Sequence, residues 1–127
     1  MAKIVLATSV LITLLLGLPY AYGQKATEIF IPIGESPGLS DKYTSIGKIE
    51  AVDAEQHSIT ISDPTGSYTV KLTERTKIWL DRSKLKLTNV KGAFEDLQKD
   101  SRVEVKYEKN ERKDRANADW VKVQVTR

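Results

Sequence analysis

Short runs in which apolar and polar residues alternate recur along this chain and restrict it to β-structure. Ile59 and Ile61 alternate with Ser58, Thr60 and Ser62; Tyr68, Val70 and Leu72 follow; Val103, Val105 and Tyr107 repeat the pattern, as do Val121, Val123 and Val125. Successive side chains of a strand point to opposite faces, so each run makes a strand with one apolar side. Tyr43 to Val52 is a further β-type run, in which Gly47 marks a bend or bulge. Thr76 to Leu80 makes a fourth strand around Ile78 and Trp79, and Leu85 with Leu87 extends it beyond Asp81-Arg82-Ser83. Asp63-Pro64-Thr65-Gly66 has the composition of a turn, and Lys109 to Asp119 reads as a polar connection.

One stretch, Ala93 to Leu97, reads as a helical turn whose Phe94 and Leu97, three residues apart, plug an open barrel end. An open sheet with so few strands would expose both edges to pairing, which favours closure. The expected fold is therefore all-β: a small OB-like barrel of five or six short strands with one short helical turn, preceded by a signal peptide. The chain has no cysteine, so an exported domain of this kind must be held by its own apolar core.

Export is read from residues 1–23. Lys3 supplies a positive start, Ile4 to Leu18 an apolar run, and Ala21-Tyr22-Gly23 a small-residue cleavage site before Gln24. The rival is a membrane anchor, but the run falls short of the ~20 residues a spanning helix needs and ends at a proline. Residues 24–42, with Pro32, Gly34, Pro37 and Gly38, read as an extended leader or linker in which Ile29 to Ile33 could add an edge strand. The barrel domain is expected over 43–127, in the periplasm or outside the cell.

Once Lys3 is removed, 19 bases face 17 acids, a net charge of +2. The distribution is more telling: residues 28–63 hold seven acids and two bases, whereas 71–91 hold seven bases and two acids. Such asymmetry either offers a field to an anionic ligand or pairs two outer faces with each other.

The string GKIEAVDAEQHSITI over 47–61, then Tyr-Thr-Val at 68–70, Thr-Lys-Ile-Trp at 76–79, Phe-Glu-Asp-Leu at 94–97 and Arg-Val-Glu-Val at 102–105 resembles a family of small exported bacterial OB-like β-barrel domains of unknown function. The resemblance spans Ile46 to Val125 and implies a fold and an export route without an active site. Asp100 stands where that family usually has glycine. A looser resemblance is to the periplasmic copper-efflux chaperones, invited by His57 and Trp79. It fails on ligands, because Cu(I) favours sulfur donors and the only methionine is Met1.

His57, the single histidine, sits among Asp53, Glu55 and Asp63. One imidazole with scattered carboxylates lacks zinc-ligand spacing, and a hard-cation loop shows denser acids and glycines. Ser58 beside His57 is no catalytic pair, since neighbours on a strand face opposite ways. Residues 53–57 are best read as the turn of a hairpin, and no enzyme, metal or cofactor is expected. Binding remains. OB-like barrels hold ligands around their second and third strands, with exposed aromatics beside bases. Tyr68, Lys71, Lys77, Trp79, Arg82 and Lys84 are the candidate ligand-binding residues, unless the aromatics are core. The expected role is a binding or structural accessory of the bacterial envelope, its partner an anionic polymer or an envelope component; a carrier of an anionic ligand, or less plausibly of a metal ion, is the alternative.

Overall fold

The computed structural model describes residues 27–110 and 114–127, so the signal sequence read over 1–23 lies outside the described residues. Seven strands form one sheet: β1 (Thr44–Asp53), β2 (Ser58–Asp63), β3 (Gly66–Lys71), β4 (Lys77–Asp81), β5 (Val90–Lys91), β6 (Arg102–Tyr107) and β7 (Ala116–Gln124). Their order is β3-β2-β1-β6-β7-β4-β5, and β3 also pairs with β7. That parallel contact, Val70 to Ala116 and Lys71 to Asn117, closes the sheet on itself. The cycle β1-β2-β3-β7-β6 is the five-stranded OB arrangement, and β4 and β5 extend it along the remaining edge of β7. The count exceeds the expected five or six because Val90–Lys91 pairs for only two residues, too short to show a period in sequence.

The alternating runs form the interior as expected. Ile49, Ile59, Ile61, Val70, Leu72, Val103, Val105, Val121 and Val123 are buried together, with Ile78 and Leu80 packed against them. Ser45 is buried beside them and hydrogen-bonds the phenol of Tyr107 at 2.8 Å. Phe94 and Leu97 lie at the barrel's end, and the turn that carries them is a 3-10 turn, Phe94–Asp96.

Residues 54–57 form the hairpin turn between β1 and β2. His57 adopts a left-handed φ of 53°, bonds the Leu72 carbonyl through Nδ1 at 2.9 Å, and stacks on Phe94 with ring centroids 4.3 Å apart. Ser58 is buried at the start of β2 while His57 is exposed in the turn before it. Asp100 takes φ 75°, the conformation that glycine would adopt without strain.

Gly47 has a different reason from the one its sequence suggests. The β1–β2 register slips between Ile49 and Ala51, so the bulge is at Glu50. At Gly47 the backbones touch: a Cβ there would sit 1.8 Å from the Ser62 carbonyl oxygen and 2.7 Å from its carbon.

Residues 27–43 are not an extended leader. They run as a 3-10 turn, Glu28–Phe30, followed by further turns, and they strap the outer face of β6, β7 and β4. The sheet registers explain the seat. Glu104 and Trp79 both stand opposite Lys122, and Lys106 and Lys77 both stand opposite Trp120. This outer row would be solvated in a bare barrel. Under the strap, Glu104 and Lys122 are wholly buried, and each is met by strap atoms. Lys122 Nζ donates to Glu28 Oε1 and the Ile31 carbonyl at 2.8 Å and to Ser36 Oγ at 3.3 Å. Glu104 accepts from Gly34 N (2.9 Å), Ser40 Oγ (2.7 Å) and Thr44 Oγ1 (2.8 Å). Asp81 accepts from Ile33 N at 2.8 Å and Ser83 N at 3.0 Å. Periodicity does not reveal this layer, because the strap residues that reach inward, Glu28, Ile33 and Ser36, follow no period.

Burial pushes the Asp81 carboxyl up, but the N–H groups of Ile33 and Ser83, the Ser83 hydroxyl and the Lys122 charge together hold it below its ordinary value of 3.8. A carboxyl depressed on folding adds stability that is complete above the unfolded value and lost as pH falls through the folded one. Unfolding free energies measured across the acid range should therefore show the gap between the wild type and Asp81→Asn narrowing below about pH 4. Lys122→Met leaves the Glu28 carboxylate buried without its cation and should lower stability by about 3–5 kcal/mol in urea unfolding, with much of it regained in Glu28→Gln/Lys122→Met. Gly47→Ala forces β1 from β2 and should destabilise by about 3 kcal/mol, the upper end for overpacking.

Candidate functional site

Strap and sheet do not meet everywhere. Between them lies a cavity of about 540 Å³, floored by Trp79 and Trp120 and walled on the strap side by Ile31 and the turn Pro37-Gly38-Leu39. β4 and β7 run parallel here, and alternation turns both indoles to the outer face while Ile78 and Val121 face the core. The ring centroids are 5.6 Å apart at 31°. Lys122 Nζ lies 4.6 Å from the Trp120 centroid and 5.9 Å from that of Trp79, so one buried cation fixes both rings as well as the strap.

Four ionisable side chains line the cavity: Glu28, Lys77, Lys106 and Asp119. Glu28 is committed to Lys122 and to the Ser36 hydroxyl. Lys106 bonds the Tyr107 carbonyl at 2.7 Å and Asn110 Oδ1. Burial lowers its amine below the ordinary lysine range, and the charge of Asp119 opposes this only in part. Lys77 is exposed at the rim and forms no ion pair among the described residues. The site thus offers an aromatic floor of two tilted, largely buried indoles, an apolar roof and one uncommitted cation.

Of the six residues singled out in sequence, two meet here: Lys77 and Trp79. Trp79 is neither core nor exposed; it is buried under the strap, with 6% of its surface accessible. Tyr68 points into the barrel against the core and bonds Thr65 Oγ1 at 2.8 Å. Lys71 is exposed on β3 beside a separate concavity that includes Glu55 and Arg115. Arg82 and Lys84 lie in the loop after β4, where Arg82 Nε holds the Thr88 carbonyl at 2.7 Å. Trp120, Lys106 and Asp119 were not among the six. For Trp120 a signal was present in the ADWVKV run at 118–123, where that indole and Lys122 occupy the outward positions of a buried strand; nothing local marks Lys106. Among the described residues, no three His, Cys, Asp or Glu side chains group as a metal site would need.

No family model and no curated protein matches this chain. Among solved structures it is similar to CusF of Escherichia coli: the Ag(I) form, residues 10–88, at 15% identity over 63% of this chain and 88% of that one, TM-score 0.43; and the apo form, residues 6–88, at 14% over 63% and 83%, TM-score 0.40. A further Ag(I)CusF structure is 14% identical over 63% and 93%, TM-score 0.42. The unknown-function family read from the sequence is matched by no family model, and the OB-like assignment rests on this chain's own strand pairing.

Proposed function

We propose that this chain is a non-catalytic binding domain, exported to the bacterial envelope, whose ligand is a small molecule with a flat apolar body and one anionic group. A single observation carries the reading: the chain's two tryptophans are brought from separate strands to the floor of the same cavity. Its volume lies within the ~300–1,000 Å³ of small-molecule sites, which pair apolar walls with a few placed polar groups. The charge balance supports an anion. Glu28 and Lys122 cancel, Asp119 stands against Lys106, and Lys77 is left over at the rim. The absence of catalysis is supported by the commitment of Glu28, Glu104, Asp81 and Lys122 to strap contacts. Among the described residues no helix is long and apolar enough to cross a membrane.

Because both tryptophans line the cavity, their emission reports its occupancy directly. Titration with 8-anilinonaphthalene-1-sulfonate should quench that emission saturably, with energy transfer to the dye. Reversing the rim charge in Lys77→Glu should weaken the anionic dye about tenfold, the effect of roughly 1.4 kcal/mol, and leave the uncharged N-phenyl-1-naphthylamine little changed. Quenching that does not saturate, or that is indifferent to crowding the cavity wall with Leu39→Trp, would count against the site.

A further inference from the structure

The end of the barrel that receives the loop after β4 carries a different surface. From Arg82 to Gly92 the chain holds four bases, Arg82, Lys84, Lys86 and Lys91, and no acid. Interleaved with them are exposed apolar side chains: Leu87 is 51% accessible and Val90 36%. Phe30, on the strap's first turn, is 56% accessible and belongs to the same end. Asn89 joins the pieces, its Nδ2 donating to the Ile29 carbonyl at 3.0 Å and its Oδ1 accepting from Arg82 N at 2.7 Å. Leu87 N closes the loop onto the Arg82 carbonyl at 3.2 Å. The loop is thus built, and its apex is strained: Lys86 holds φ 58° at the C-cap of a 3-10 turn, Ser83–Leu85, where glycine would sit without penalty. A lysine kept there presents its ammonium at the tip.

From this geometry we infer that the end formed by Phe30, Leu87 and Val90 with Lys84, Lys86 and Lys91 docks on the surface of an anionic phospholipid bilayer. Complementary charge selects the partner. The bases meet no acid within their own loop; Glu95 and Asp96 follow only after Gly92, where Asp96 accepts the Ala93 N–H at 2.7 Å, and Glu28 is taken by Lys122. The apolar side chains select a bilayer over a soluble polyanion. A polymer of phosphates or uronates needs only the ammonium groups, whereas a membrane interface receives Phe, Leu and Val at the acyl boundary while lysine stems carry their charges to headgroup level. Arg82 and Lys84, which do not reach the tryptophan cavity, find their place on this face. The inference is independent of the ligand proposed above, since none of its residues lines that cavity.

The test is vesicle flotation of the protein as it is recovered from expressing cells, with phosphatidylcholine containing phosphatidylglycerol and with phosphatidylcholine alone. Binding should require the anionic lipid and fade as salt is raised. Lys84→Glu/Lys86→Glu/Lys91→Glu should abolish it, each lysine near the surface being worth about fivefold in partitioning. Phe30→Ser/Leu87→Ser should weaken it about tenfold or more at unchanged charge. Dye binding in the tryptophan cavity should survive both sets, which shows that the variants fold and separates this result from that of the cavity. Three outcomes would overturn the inference: equal flotation with both vesicle types in wild type and charge variants alike; retention on heparin or single-stranded DNA with no vesicle binding; or self-association lost on Phe30→Ser/Leu87→Ser.

Discussion

The Lys122 ammonium holds the outer layer of this protein together. An ammonium removed from water is tolerated only where opposite charge and hydrogen-bond acceptors replace its hydration. Here Glu28, the Ile31 carbonyl and Ser36 do so, and all three belong to the strap. The same charge lies over two indoles. Position of the strap, orientation of the tryptophans and shape of the cavity between them are therefore consequences of one desolvated cation. Glu104 and Asp81 extend the principle on either side, each a carboxylate answered by donors from the strap. Such a seam adds directional specificity more than net stability, because the hydrogen bonds are satisfied in only one register.

The barrel could be read from the chain because a two-residue period states which side chains share a face, and those faces are where the core formed. Ile59, Ile61, Val70, Val103, Val105, Val121 and Val123 all went inward, and residues 54–57 made the turn expected of them. The strap escaped notice for the converse reason. Its inward groups are held by hydrogen bonds to side chains some sixty to ninety positions away, such as Ser40 to Glu104 and Glu28 to Lys122, and composition alone describes such a segment as a linker. The site was half legible. Trp79 and Lys77 were marked by type and neighbourhood, but Trp120 and Lys106 join them only through the β4–β7 and β6–β7 registers, which no local pattern encodes. Gly47 was noticed for the right residue and the wrong cause: the bulge is three positions on, and the glycine serves a backbone approach.

The molecule separates its duties by surface. The inside of the barrel is almost wholly aliphatic and supplies cohesion. The strapped outer face is polar, wholly bonded and aromatic, and holds the enclosed space. The end that receives the loop after β4 carries lysines and apolar tips, with four bases and no acid over 82–92. Within the acidic run of residues 28–63, Glu28 is spent on Lys122 under the strap, Asp53 and Glu55 lie at the β1–β2 turn, and Asp63 lies at the opposite end of β2, in the turn to β3.

The parallel pairing of β3 with β7 sets the order in which this protein can come into being. β7 touches β3 and β4 along one edge and β6 along the other, so three earlier strands await a partner that a ribosome synthesises after all of them. Until β7 has been made, the early meander has an open seam, and the strap lacks Lys122 and the indole floor Trp120. A polypeptide in that condition stays threadable. It becomes a barrel only when its last strand has been made.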